Sequence, residues 1–503
     1  MQRLLSVRVL TILVLVTGML GGAGASRASA ATCTFFGSTY PVTISGSGVI
    51  TGTPGDDVIN GSGGADTISG LGGDDIICAN GGADTVAGGD GNDLISGGTN
   101  VDTIDGGSGD DQIHGGSSGD SLSGGSGNDG VYGEQGNDHL YGKSGDDLLD
   151  GGPDNDMLSG WTGSDNLYGE DGDDTISTGP RTTFTASEDL FLEAVDIDGV
   201  YGGAGNDTLT GADNPDLING NDGDDTILGG YGADYLYGDA GADLIYGEGN
   251  GDTIYGGPDA DVLVGGTGND WMYTQGGQDH VYGQDGNDVM TGTSDSERLS
   301  GGDGNDALSG NGGLDSISGG NGSDTLFGGG QEDVLSGDAG ADHIHGYLGD
   351  EQIDGGEGDD AIDDSGGNNQ IVGGPGDDSI TGGTGNDLIS GNDGNDIIYD
   401  ASGTTNTLWG DAGNDIIGSA TAADLIYGGD GSDTINSGDG TDKLFGQDGD
   451  DTLSGGAGND RLYGQNGDDD LSGGDGTDSC SGGDGIDYAF SFPPDCETQY
   501  NIP

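Results

Sequence analysis

The chain has 503 residues, of which 119 are glycine, 92 are Asp or Glu and 8 are Lys or Arg, giving a formal charge of −84. With 30% hydrophobic residues it cannot fill the one large core of an ordinary globular chain of this length, and charge of one sign at this density opposes compaction. The acidity also excludes nucleic acid as a partner, because its phosphates would be repelled.

The first thirty residues stand apart from the rest. Arg3 and Arg8 give a basic start, Val9 to Leu20 is apolar, and Ala28-Ser29-Ala30 reads as a small-residue cleavage site. An apolar run of about a dozen residues falls short of the ~20 needed to span a bilayer, so residues 1–30 are expected to be a secretory signal peptide. No twin arginine precedes the run, and Ala30-Ala31-Thr32 before Cys33 lacks the leucine of a lipoprotein site. The mature chain is expected to start at Ala31 and to be extracellular, with no membrane span.

Residues 31–50 are expected to form an N-terminal cap, followed by a first repeat block over 51–177. Its unit is visible in Gly88-Gly89-Asp90-Gly91-Asn92-Asp93-Leu94-Ile95-Ser96, and its period is nine. Aspartate stands at Asp57, Asp66, Asp75, Asp84, Asp93, Asp102, Asp111, Asp120, Asp129, Asp138, Asp147, Asp156, Asp165 and Asp174 without exception. Fourteen consecutive hits have a chance probability on the order of 10⁻¹⁰, which biased composition cannot explain.

Residues 178–197 break the repeat and contain Pro180, Arg181, Phe184 and Leu190-Phe191-Leu192; a loop or short helix packed on the repeats is expected there. The second block, 198–400, resumes with Asp198, Asp207, Asp216, Asp225, Asp234, Asp243, Asp252, Asp261, Asp270, Asp279 and Asp288. It continues through Asp306, Asp315, Asp324, Asp333, Asp342, Asp360, Asp378, Asp387 and Asp396, with Glu297, Glu351 and Asn369 as substitutions. The third block, 401–487, is offset by one residue, which predicts a bulge. It begins at Asn406 and keeps Asp415, Asp424, Asp433, Asp442, Asp451, Asp460, Asp469, Asp478 and Asp487. In all, 43 of 47 register positions are Asp. Two residues after each stands an apolar side chain, from Ile59 to Leu471, and only Cys480 and Ala489 break the series. Residues 488–503 are expected to close the other end.

Each unit divides into a glycine-rich turn of six residues and a strand of three, with one apolar side chain pointing inward. Such a strand cannot bury its face alone, whereas stacked neighbours build a continuous narrow core, so the period predicts a solenoid. A carboxylate on every turn beside exposed glycine carbonyls offers only hard oxygen donors, which favour calcium over zinc or copper. Stacked aspartates would repel one another unless a cation lay between them. At about one ion per nonapeptide, roughly 40 calcium ions carry about +80 and nearly cancel the formal charge.

The units Gly-Gly-x-Gly-x-Asp-x-aliphatic-x resemble the RTX family, the haemolysin-type calcium-binding repeats, over about 430 residues. The resemblance implies an all-β, right-handed parallel β-roll with two nonapeptides per coil, calcium held between successive turns by the register aspartates and turn carbonyls. Many members carry a catalytic or toxin domain ahead of the repeats; here an N-terminal signal is expected instead, without such a domain.

Four cysteines in an exported chain favour disulfides. About 23 coils at roughly 4.8 Å each separate the two ends by far more than the ~7 Å a bridge tolerates, so Cys33 is expected to pair with Cys78 and Cys480 with Cys496. Phe35, Phe36, Tyr40, Val42 and Ile44 are expected to cover one open end of the core, and Tyr488, Phe490 and Phe492 the other.

Catalytic patterns fail on context. Gly115-Gly116-Ser117-Ser118-Gly119 lacks the strand and helix of a nucleophile elbow, and Gly125-Ser126-Gly127-Asn128-Asp129-Gly130 lacks the helix that would receive a pyrophosphate. Gly142-Lys143-Ser144 misses the phosphate-loop spacing, no H-E-x-x-H pair exists among five histidines, and no EF-hand loop fits. The chain is therefore read as non-enzymatic, an enzyme-associated or cryptic hydrolase role being the remaining alternative. Aromatics follow the inward residue at Tyr132, Tyr141, Tyr168, Tyr201, Tyr237, Tyr246, Tyr255, Tyr273, Tyr282, Trp409 and Tyr463 and should point outward. Tyr237, Tyr255 and Tyr273, eighteen apart, should stack as a ladder, explained by strand preference or as a platform for a cell-surface glycan or envelope component. The expected role is a calcium-loaded extracellular scaffold or adhesion module that folds on binding its ions.

Overall fold

A computed structural model describes residues 32–35, 38–179, 198–489, 496 and 498–500. The segment 1–30, Phe36, the insert residues Pro180, Arg181, Phe184 and Leu190 to Leu192, and Phe490 and Phe492 lie outside these described residues. Every regular element among the described residues is a strand, and none of them forms a helix able to cross a membrane.

One coil shows the plan. The strand Thr85–Asp90 pairs in parallel with Thr103–Ser108, and that strand with Ser121–Ser126, always eighteen residues on. The alternate nonapeptides supply Leu94–Thr99, Gln112–Ser117 and Gly130–Gln135 to a second parallel sheet with the same spacing. Two nonapeptides therefore make one coil, and the fold is a parallel β-roll.

Most strands are six residues long rather than the three read from the sequence. Each runs through the x-aliphatic-x triplet and the first three residues of the next nonapeptide. Gly106 has no pairing partner within the register Thr103↔Ser121 to Ser108↔Ser126, so the strand kinks at that glycine and resumes. Only three residues are left for the turn, which is why it is tight.

The chain divides into two compact units, residues 1–205 and 206–503. In the first, Ile95, Ile113, Val131 and Leu149 form one inward row and Ile104, Leu122 and Leu140 the facing one, all shut off from solvent. The second repeats this with Ile218, Leu236 and Ile254 against Ile227, Ile245 and Leu263. One buried aliphatic side chain contributes about 2 kcal/mol. The conformational entropy of ordering nine residues rich in glycine exceeds that, so the apolar row alone cannot hold the stack.

Two interruptions are absorbed without breaking the sheets. In the first unit, Asn166–Asp171 pairs with Gly199–Ala204 at a separation of 33 residues, so the coil closes on the far side of the insert. In the second, the pairing step lengthens to nineteen between Leu388 and Thr407. Thr404 and Thr405 both donate their backbone N–H to Asn386 Oδ1, at 2.9 and 3.1 Å, and the extra residue is held there as a bulge.

Both predicted disulfides are present, Cys33–Cys78 and Cys480–Cys496, each with Cα atoms 5.8 Å apart. Phe35 and Tyr40 do not cover the open end as expected. Thr32–Phe35 and Ser38–Pro41 form an antiparallel hairpin whose buried Cys33 and Phe35 pack with Cys78, Tyr40, Val42, Val58, Ile76 and Leu94. Cys78 lies one residue past the inward Ile77, on the outer face, so its disulfide draws the hairpin onto the flank of the sheet. Ile44, one of the residues expected at this end, does form an end rung by pairing with Ile59, and Ile50, paired with Ile68, forms the other.

At the other end Tyr488 points outward and is 60% exposed, so it does not cover the core either. Cys480 occupies an inward position at 0% exposure and tethers Cys496, while Thr498–Tyr500 adds a final parallel rung to Ser479–Asp484.

Candidate metal centre

The register side chains do not project into solvent, as most aspartates do. All 47, including Glu297, Glu351, Asn369 and Asn406, are buried at the turns, and the strand period explains why. With the aliphatic residue pointing in, the residue two before it points to the same side and is carried beneath the turn.

Most register carboxylates are used on one side only, Asp57, Asp66, Asp216 and Asp424 being exceptions whose Oδ2 accepts a hydrogen bond. Along the row Oδ1 accepts the backbone N–H of the register residue one coil earlier: Asp57 donates to Asp75 at 2.8 Å, Asp75 to Asp93 at 2.8 Å, and Asp234 to Asp252 at 2.9 Å. The step across the bulge keeps this pattern, with Asp396 donating to Asp415 at 2.8 Å. Oδ2 is a different matter. In Asp75, Asp93, Asp111, Asp234, Asp252 and Asp270 it is buried without a hydrogen-bond partner. An unsatisfied buried carboxylate oxygen costs far more than a lost surface contact, and its repetition from turn to turn requires an explanation.

The first glycine of the nonapeptide shows what lies around that oxygen. A Cβ built on Gly229 would sit 2.6 Å from Asp234 Oδ2 and 2.9 Å from the carbonyl oxygen of Gly247 in the next coil. Two oxygens from successive coils thus converge where no methyl group fits. This glycine is required for space and not for backbone angle, whereas the second and fourth take positive φ, as at Gly89 (φ 126) and Gly91 (φ 122). Side chains do occupy the second position at positive φ elsewhere, among them Leu71, Lys143 and Trp161.

A further row escaped the sequence reading. The residue before the register position carries its own ladder in the opposite sense: Asn92 N–H donates to Asp74 Oδ1 at 2.9 Å, and Asp110 N–H to Asn92 Oδ1 at 3.0 Å. The frequent Asp or Asn at this place was the available signal, since only such side chains bond along the turn stack.

Electrostatics agree with the geometry. Burial above all pushes Asp252 up to about 8, against the Asp234 amide and helped by the charges of Asp234 and Asp270. Asp156 and Asp261 are likewise raised to about 8, and Asp111, Asp147 and Asp451 to about 7. Glu297, which the sequence set left out, is raised to about 8 by burial and by Asp315, and Thr293 donates to it.

The donors here are carboxylate and carbonyl oxygens, the hard set that suits calcium. Among the described residues no three His, Cys, Asp or Glu side chains gather in one place. A cation at these turns would therefore take its carboxylates from the register row and fill its shell with turn carbonyls. Bound there, it would supply positive charge to the unpartnered oxygens and so join neighbouring coils.

No curated protein matches the chain. Overlapping matches to the RTX calcium-binding nonapeptide repeat cover residues 42–180, 201–398 and 400–489, most of the chain and nearly all of the β-roll. The chain is a calcium-binding repeat protein and belongs to the RTX nonapeptide repeat family.

Proposed function

We propose that this chain is a secreted protein whose coils close on calcium outside the cell, and that the loaded roll serves as an extracellular scaffold or calcium-dependent binding module. The observation that carries the reading is the buried, unpartnered second oxygen repeated along the register row. The 43 register aspartates are its ligands, at about one ion per nonapeptide. In the low calcium of the cytosol the acidic chain stays expanded and ready for export; millimolar calcium outside folds it. No step of the role requires chemistry beyond binding. Counting ions on the purified chain in saturating calcium by native mass spectrometry tests this: about 40 are expected, and a handful would contradict it.

A second reading, a surface that recognises a cell-surface glycan or envelope component, is favoured by the outward rings. Tyr237, Tyr255 and Tyr273 stack as expected, with centroids 4.8 and 4.9 Å apart. A longer ladder runs through Trp409, Tyr427, Phe445 and Tyr463 at 6.0, 4.9 and 4.9 Å. Lys443 and Arg461, two of only 8 basic residues, stand on adjacent rungs of that strand row. On a glycan array in millimolar calcium, this reading expects saturable binding that falls at least about ten-fold on Trp409→Ala with Tyr427→Ala or on Tyr255→Ala. An array without hits leaves the scaffold role alone.

A further inference from the structure

The register row contains two asparagines, Asn369 and Asn406, at which the ordinary ligand is missing. The row of first positions contains, among the described residues, two acidic side chains where glycine is the rule, Asp364 and Asp400. These are the same two turns. Asp364 stands five residues before Asn369. Asp400 stands six before Asn406, and the bulge accounts for the difference: Asp400 pairs with Ser419, the first position of the Asp424 nonapeptide, which places it in the same row. We propose that these two turns keep their cation sites, with the carboxylate moved from the sixth position of the nonapeptide to the first, so that Asp364 and Asp400 are ligands. The inference rests on the calcium reading above.

At the first turn Asp364 is buried at 2% exposure. Its Oδ1 lies 3.0 Å from where a Cβ on Gly346 would stand, the seat that a register carboxylate fills elsewhere, as Asp234 does beside Gly229. Asn369 turns its amide to Asp364, and Ser365 N–H donates to Asp364 Oδ1 at 2.6 Å. The Asn369 amide also reaches the carbonyl of Gly382 in the next coil at 3.4 Å. Glu351 completes the group: it is 1% exposed, and its carboxyl lies against that of Asp364, the two buried acids being within hydrogen-bonding reach of each other.

The second turn is barer. Asp400 is 0% exposed, and neither oxygen accepts a hydrogen bond of ordinary geometry, although the Ala401 and Ser402 amides lie close enough to favour its charge. Asp387 Oδ2 and Asn406 Nδ2 are likewise buried without partners, while Asn406 Oδ1 accepts the Asp387 N–H at 3.2 Å. Neither Asp364 nor Asp400 forms an ion pair among the described residues. Asp400, fully buried with both oxygens unsatisfied, is a carboxylate of the kind retained only when something charged meets it. The other first-position side chains, such as Ala79, Thr274, Ser419 and Ser437, are small and neutral and accompany an intact register aspartate. The carboxylate is thus relocated at these turns and not lost.

The test counts bound ions on the full chain in saturating calcium by native mass spectrometry, with terbium luminescence as a second readout. Asp364→Gly and Asp400→Gly restore the usual glycine but leave asparagine in the register, and each is expected to bind about one ion fewer than the parent. The paired variants Asp364→Gly with Asn369→Asp, and Asp400→Gly with Asn406→Asp, rebuild the common arrangement and are expected to regain the parental count. Single variants that keep every ion, or paired variants that bind no more than the singles, would overturn the inference. A parent chain near 40 ions with unchanged singles sinks only this proposal, whereas a parent with few ions sinks the calcium reading itself.

Discussion

Replacing Asp234, Asp252 and Asp270 together with asparagine is expected to remove about three calcium ions and to raise the calcium concentration at half-folding of the second unit at least about ten-fold. The three stand in one column and are linked by amide-to-carboxylate bonds of 2.9 and 2.8 Å. Asparagine retains an Oδ1 that can accept those bonds, so the turn stitching survives and only the charge and the second anionic oxygen are removed. The alanine triple loses the hydrogen bonds as well, at about 1 kcal/mol each, and is expected to fold at still higher calcium. Circular dichroism during a calcium titration reads both shifts. An asparagine triple that titrates like the parent would show that the stack is held by hydrogen bonds and that these carboxylates are not ligands.

In excess chelator the strand signal is expected to rise as pH falls from 8 towards 5, the reverse of ordinary acid denaturation. Asp156, Asp252 and Asp261 titrate near 8 in the folded chain and Asp111, Asp147 and Asp451 near 7, each raised first by burial from an ordinary value near 3.8. A raised folded pKa means that the folded state binds protons more tightly than the unfolded one. The stability this contributes is full below about 4 and is lost as pH rises through 6 to 8. Protons then do weakly what a cation does fully, by neutralising a buried carboxylate. With calcium present the sign reverses, because protons compete for the same oxygens, and the calcium midpoint should rise as pH falls. A metal-free strand signal that is flat between pH 5 and 8 would contradict this account of the buried row.

Much of this was legible in the residues, because the period of nine is a local rule obeyed by every unit. Ile59 to Leu471 mark the inward row, and Asp57 to Asp487 mark the turn; both lie where alternation puts them. The two disulfides followed from distance along the stack alone. What escaped were features that depend on the neighbouring coil. The six-residue strands exist because residues at the second and third positions, past the unpaired first glycine, pair with the strand eighteen residues away, which three-residue alternation cannot reveal. The hairpin around Phe35 was misplaced because its apolar residues signal burial but not the surface that supplies it. The outward register of Cys78 held that information. Asp364 and Asp400 broke the motif, and only their placement beside Asn369 and Asn406 in the stack gives the break a meaning.

The central claim is that neighbouring coils are joined by divalent ions at the register carboxylates, the narrow apolar row being too thin to hold them. It is tested most directly by circular dichroism and small-angle scattering on the purified chain at pH 7.5, first in excess chelator and then in millimolar calcium. The account predicts an expanded chain with little strand signal in chelator, and a steep conversion to a compact, strand-rich form as calcium is added. A chain that is already compact and fully strand-rich in excess chelator would contradict it.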